Sequence, residues 1–291
     1  DDIYYAETDE DDDTPLCYDC YTRSSLERVI HDYNYKPEPI FYGEGPRYYG
    51  IELELDNGGE IRKKAASLLE VSQSNGAETL YCKHDGSLND GFELVTHPMA
   101  LDYHKQEMPW QAILQKCVEL GYSSHQAGTC GLHIHVSRSA FGVLEEQQDA
   151  CIARILYFFE KNWEELLKFS RRTALQLKRW AARYGYKEQP MDILDHAKKG
   201  YHGGRYTCVN LRNHDTIEFR MFRGTLKYNT LIATLQMVDR ICDMALSLSD
   251  EELKAMSWTT FVSDCHQPEL VQYLKERRLY VNEPVESEVE L

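Results

Sequence analysis

No stretch of this chain approaches the ~18 consecutive apolar residues that a helix needs to cross a bilayer, which excludes a helical membrane span. No charged-then-apolar leader opens it, so the expectation is a soluble, cytoplasmic protein. A basic surplus is also missing. Lys and Arg number 32 against 48 Asp and Glu, a formal net charge of -16, and this argues against binding to a nucleic-acid backbone. Much of that charge is local. Residues 1–13 hold eight acids and residues 281–291 four, with no Lys or Arg in either stretch, so twelve of the sixteen negative charges sit at the ends. Both ends read as solvated tails. A disulfide framework is absent as well: the nine cysteines are odd in number and scattered, which suits a reducing compartment. Only Cys17-Tyr18-Asp19-Cys20 has metal-knuckle spacing, and it supplies two of the four ligands of a structural zinc.

What remains is 42% hydrophobic over 291 residues, enough for a sizeable core. A Pro- and Tyr-rich link through Pro37, Pro39 and Pro46 places a boundary near residue 45. The expected organisation is a tail with the CxxC segment over 1–45, with a helix start at Ser24-Ser25-Leu26-Glu27, and one large domain over 46–291. Apolar spacing predicts helices over 59–75, 108–121, 145–169, 173–184, 191–199, 228–248 and 269–278. Strands are expected over 47–56, 78–84, 91–96 and 129–137, and a hairpin of 205–210 with 216–222 around Asn213-His214-Asp215. The fold class is α+β: an antiparallel sheet with one face backed by helices and one face open.

Four short segments carry the chemistry. They are Gly50-Ile51-Glu52-Leu53-Glu54; Asp85-Gly86-Ser87 with Gly91-Phe92-Glu93; Gly131-Leu132-His133-Ile134-His135; and Thr216-Ile217-Glu218-Phe219-Arg220. In three of them polar groups recur at every second position, which on a strand aims them at one face. Each has a plain alternative. Glu52 and Glu54 read as solvated carboxylates on an exposed strand, His133 and His135 as structural histidines, Asp85 as a turn residue, and Glu218 with Arg220 as a same-strand ion pair of little worth. Together they place five carboxylates, two imidazoles and guanidinium groups in one protein. A dominance of carboxylate oxygen with a minority of imidazole suits Mg²⁺ or Mn²⁺ better than zinc alone. Carboxylate-bound metal beside Arg220 and Arg223 suits phosphoryl transfer.

In this order the motifs resemble the amidoligase branch of the carboxylate–amine ligase superfamily, which includes glutamine synthetase and glutamate–cysteine ligase. The resemblance covers roughly residues 47–240. It rests on Gly50–Glu54, on Asp85-Gly86-Ser87-Leu88 through Gly91-Phe92-Glu93-Leu94-Val95-Thr96-His97-Pro98, on Cys130 through Ser137, and on Arg205-Tyr206 with Val209-Asn210-Leu211 and Thr216 through Thr225. It implies a curved antiparallel half-barrel of the glutamine synthetase type, with metals and ATP on the concave face, and residues 46–291 as the catalytic domain. It also implies an ATP- and Mg²⁺-dependent ligase that forms an amide bond through an acyl phosphate. Glu54, Asp85 and Glu93 would hold one Mg²⁺ (or Mn²⁺), and Glu52, His133 and Glu218 the other. His135 would contact phosphate. Arg220, Arg223 and Arg205 would bind the γ-phosphate or the substrate carboxylate, and Asn210 and Arg220 the nucleotide.

The implied partners are carboxylate- and amine-bearing small molecules or peptides. Many family members carry a zinc ribbon at their start, so Zn²⁺ at Cys17 and Cys20 would need a second knuckle. Cys130 is expected to be a small buried thiol rather than a nucleophile. Segments 97–110 and 185–204 are candidate substrate or lid loops. The rival readings are a metal-dependent hydrolase or phosphatase, and a catalytically inactive ligase-like binding scaffold.

Overall fold

The computed structural model describes residues 4–5, 15–17, 29–73, 76–199 and 204–280. The acidic residues of both ends, Cys20, the Ser24–Glu27 segment and Tyr201-His202-Gly203 lie outside the described residues; Cys17 is exposed. No helix among the described residues is long and apolar enough to cross a membrane. The chain divides into two compact units: residues 1–133 with 223–228, and residues 134–222 with 229–291.

In the first unit, β1 (Tyr4–Tyr5) and β2 (Pro15–Leu16) form a short antiparallel pair. The main strands are β3 (Ile30–His31), β4 (Tyr49–Leu55), β5 (Leu80–Lys83) and β6 (Phe92–Thr96), in the order β3-β5-β6-β4. The β5–β6 and β4–β6 pairs are antiparallel and β3–β5 is parallel. Strand β7 (Gly131–Ser137) begins in this unit and ends in the other.

Alternation decides what each face of these strands does. Ile51, Leu53, Leu55, Leu80, Cys82, Phe92 and Leu94 are fully or almost fully buried. Helices α1 (Arg62–Ser72), α2 (Leu101–Gln106) and α3 (Trp110–Glu119) belong to the same unit. α1 packs on α3 and on β5, contributing Ala65 and Leu68 to the core, while α3 adds Ile113, Leu114 and Cys117. The other face carries Glu52, Glu54, Tyr81, Lys83 and Glu93. The mostly antiparallel, helix-backed sheet agrees with the fold class read from the sequence.

Two contacts set the edges of that arrangement. Gly91 lies so close to β4 that a Cβ on it would fall 2.0 Å from the Leu55 carbonyl oxygen. Fully buried Asp56, just beyond β4, accepts hydrogen bonds from Thr129 Oγ1 (2.7 Å) and from the backbone N–H groups of Asp90 (2.7 Å), Asn57 (2.8 Å) and Asn89 (3.2 Å). Burial alone would raise its carboxyl, but these four donors hold it below the usual carboxylate range. One side chain thereby ties the end of β4 to the β5–β6 loop and to the approach to β7.

The second unit contains a 3₁₀ turn (Arg138–Phe141) and helices α4 (Glu145–Lys161), α5 (Trp163–Ser170), α6 (Ala174–Trp180) and α7 (Pro190–Lys198). It also contains β8 (Val209–Asn210) antiparallel to β9 (Thr216–Arg223), whose last residue belongs to the first unit, then α8 (Tyr228–Ser247), whose first residue does too, α9 (Asp250–Ala255), α10 (Trp258–Ser263) and α11 (Pro268–Glu276). The single helix expected over 145–169 is two helices. Asn162 takes a non-helical conformation between them, and both its backbone and side-chain N–H groups donate to the Phe158 carbonyl at 3.0 Å. The apolar stripe continues across that break, so periodicity does not reveal it. Helices α2, α9 and α10 were not expected from the sequence; each is six residues long, too short for a periodic signal.

Gly91→Ala would push a methyl group into backbone rather than into a movable side chain. Stability should fall by about 1–3 kcal/mol or more, seen as a lower urea midpoint at unchanged slope.

Candidate functional site

The first unit gathers its polar groups by register. Lys83 stands opposite Glu93 across β5–β6, and Glu93 stands opposite Glu54 across β6–β4. Directly opposed residues share a face, so Lys83, Glu93 and Glu54 form one cross-strand row. Tyr81, Val95 and Glu52 form the next. Lys83 Nζ lies 3.0 Å from Glu93 Oε1, and both side chains are buried. The Gly131 N–H donates a short hydrogen bond to Glu54 Oε2. His133 Nδ1 is 3.2 Å from Glu52 Oε2, and its Nε2 is 3.7 Å from Glu54 Oε1.

Half-buried Asp85 opens an exposed turn, where its Oδ1 accepts the Ser87 N–H at 2.7 Å. Of the six expected metal ligands, this unit therefore contains Glu52, Glu54, Asp85, Glu93 and His133. Arg223 is half-buried in the same unit, and the next residue, Gly224, donates its N–H to the Cys130 carbonyl at 3.0 Å.

Crowding of acids has an electrostatic consequence. Burial pushes the Glu93 carboxyl well above the usual range, and the charges of Glu52 and Asp85 push the same way, while Lys83 pulls against them. The Tyr81 phenol is raised by burial and then by Glu52 and Glu93. Cys130 is buried, and burial pushes its thiol up to about 12, in keeping with a small buried thiol.

In the second unit, Asn210 stands opposite Glu218 in the β8–β9 register. Its Nδ2 donates to Glu218 Oε2 at 2.7 Å. Arg220 pairs with Glu218 Oε1, and its guanidinium lies 5.9 Å from the Tyr206 ring. The Arg205 guanidinium lies 5.2 Å from the same ring, so the two cations share one aromatic platform. His135 Nδ1 is 3.2 Å from Thr216 Oγ1. Arg138 fixes the β8–β9 loop by donating to the carbonyls of Leu211 (2.7 Å) and Asn213 (3.2 Å). The expected group of His135, Arg205, Asn210, Glu218 and Arg220 is thus present here. Behind it the apolar side chains of Ile217, Phe219 and Met221 are fully buried.

Lys83 and Tyr206 were assigned no role from the sequence. Leu80-Tyr81-Cys82-Lys83 shows the same alternation as the other site strands, so Lys83 was within reach of the rule that found Glu52 and Glu54. The platform role of Tyr206 has no comparable signature, because it depends on where a separate strand delivers Arg220.

The family model described as "Putative amidoligase enzyme" matches residues 68–242, 60% of the chain. No curated protein matches the chain. Among solved structures, the chain is similar to a bifunctional glutathione synthetase from Pasteurella multocida. The identity is 13% over 79% of this chain and 46% of that one, with a TM-score of 0.41. It is also similar to the complex between the prokaryotic ubiquitin-like protein Pup and its ligase PafA, at 11% identity over 68% of this chain and 46% of that one, with a TM-score of 0.33. The chain spans about half the length of each.

Because the folded protein holds the Glu93 proton more tightly than the unfolded chain, stability should decline as pH rises above the ordinary Glu value of 4.5. The unfolded state loses that proton first. In metal-free protein Glu93→Gln should flatten this decline, as read by melting temperature between pH 5 and 8.

Proposed function

This chain belongs to the amidoligase family, and from that premise we propose that it is an ATP-dependent carboxylate–amine ligase working with Mg²⁺ or Mn²⁺. The observation that carries the reading is the row of Glu54 and Glu93, buried side by side in register, with Glu52 and His133 beside them. Buried like charges are costly unless cations compensate them. Lys83 offers one positive charge against the carboxylates of Glu52, Glu54, Asp85 and Glu93. Hard oxygen donors with one imidazole fit Mg²⁺ or Mn²⁺. We assign Glu54, Asp85 and Glu93 to such an ion, with Glu52 and His133 as this unit's remaining candidate ligands. When bound, the ion neutralises phosphate oxygens and lowers the barrier to phosphoryl transfer.

The second unit's residues suit an anion. Arg220 is steadied by Glu218 and the Tyr206 ring, so its guanidinium is oriented for phosphate or carboxylate oxygens before a ligand arrives. Arg205 adds a second guanidinium on the same ring. Asn210, which bonds Glu218, and His135 complete the proposed nucleotide contacts.

In the proposed reaction a substrate carboxylate oxygen attacks the γ-phosphorus of ATP and ADP leaves. An amine then attacks the acyl carbon, inorganic phosphate leaves, and the amine gives up a proton. The substrates are carboxylate- and amine-bearing small molecules or peptides. Water must be kept from the acyl phosphate, or hydrolysis wins.

Purified protein should bind ATP and sustain ADP release over many turnovers only when Mg²⁺, a carboxylate and an amine are all present. Glu54→Ala and Arg220→Ala should each slow release by at least about 100-fold. Absence of ADP across a broad panel of pairs, together with absence of ATP binding by calorimetry, would overturn the ligase reading. Phosphate-ester turnover without ATP would point to a hydrolase instead.

A further inference from the structure

Lys83 has no role in the reaction just proposed, yet it is the buried cation nearest to its carboxylates. Its Nζ is 3.0 Å from Glu93 Oε1, and register places the two residues directly opposite each other. An aromatic wall backs it: Nζ lies 5.5 Å from the Tyr33 ring, and Tyr35 both stacks on His31 at 3.6 Å and meets Tyr81 edge-on at 5.4 Å. His31 is the β3 neighbour of Lys83. The ammonium therefore engages one named oxygen of Glu93 and lies near the Tyr33 ring.

Glu54, the other neighbour of Glu93, is restrained in the same manner. Its Oε2 accepts the N–H of Gly131, a backbone donor fixed by the start of β7. Both central carboxylates thus have one oxygen engaged by a buried protein donor. Because Lys83 already occupies Glu93 Oε1, chelation of an ion by both Glu93 oxygens would have to compete with that ion pair.

That competition matters for ion choice. Mg²⁺ requires a near-octahedral shell of single oxygens at short distance, whereas Ca²⁺ takes more ligands at longer distance and often chelates a carboxylate with both oxygens. Hydrogen bonds to ligating carboxylates fix such orientations, and losing one commonly changes metal affinity by about 10–100-fold.

We propose that Lys83 is a specificity-determining positioning residue: by engaging Glu93 Oε1 it would disfavour chelation of an ion by both Glu93 oxygens and bias the first unit's carboxylate set toward Mg²⁺ or Mn²⁺ over Ca²⁺. This rests on the metal reading above and adds to it a reason for the ion's identity.

The test is calorimetric titration of the full chain with MgCl₂, MnCl₂ and CaCl₂, with folding followed by circular dichroism. Lys83→Met removes the donor and frees Glu93 to chelate. The ratio of Ca²⁺ to Mg²⁺ affinity should rise by at least about tenfold. Lys83→Gln keeps an N–H donor without the charge, and its ratio should stay near that of the wild type. An unchanged ratio in Lys83→Met, including equal weakening of both ions, overturns the proposal. So does a Lys83→Gln variant whose ratio shifts toward Ca²⁺, a result that overturns it even if Lys83→Met does not fold. Wild-type protein that binds none of the three ions overturns the metal site itself and this inference with it. Wild-type binding with the wrong variant pattern overturns only the role of Lys83.

Discussion

Carboxyl groups buried side by side are the constraint around which the first unit is built. Glu54 and Glu93 face each other across an antiparallel pair, and Glu52 follows two residues before Glu54 on the same face. Water cannot screen such groups once the strands close, and dry carboxylates repel more strongly than wet ones. The compensation available from the chain is specific: an ammonium from the next strand, a backbone N–H from β7, and an imidazole reaching two carboxylates at once. The hydrophobic face behind these groups sets their spacing. Ile51, Leu53, Leu55, Phe92 and Leu94 fix the register, and register fixes which charges become neighbours.

The second unit solves a related problem with fewer acids. Glu218 is nearly fully buried, but Asn210 and Arg220 divide its two oxygens between them. The same pairing restrains Arg220, while Tyr206 gives that cation and Arg205 a common surface. A guanidinium held in place loses little entropy when an anion arrives, which favours tight and geometrically selective contacts. Membership of the amidoligase family gives these two groups of residues a common chemical context, and the proposed ligase uses them for different tasks.

Much of this was legible in the sequence because alternation carries it. Glu52, Glu54, Glu93 and Glu218 stand among apolar residues at a spacing of two, and their strands formed where that spacing placed them. The long helices followed from apolar stripes for the same reason. Boundaries were harder. Asn162 divides one stripe into two helices through its own hydrogen bonds to Phe158, a local competition that periodicity averages away. Capped six-residue helices such as Asp250–Ala255 lack the turns needed to establish a period. Lys83 shows a different limit. Its spacing was visible, but its meaning came from the strand opposite, and cross-strand register is not written in either strand alone.

The four hydrogen bonds accepted by Asp56 bear on how such a protein could be diversified or redesigned. They pin Asn89 and Asp90 of the β5–β6 loop and Thr129 before β7 to a single buried point, while Gly91 presses the far end of that loop against β4. Lengthening or grafting within this stretch would detach several carboxylate-bearing segments together. Variation that leaves the proposed activation chemistry intact is therefore channelled to connections beyond that knot, and a library seeking new substrates should hold residues 85–91 constant.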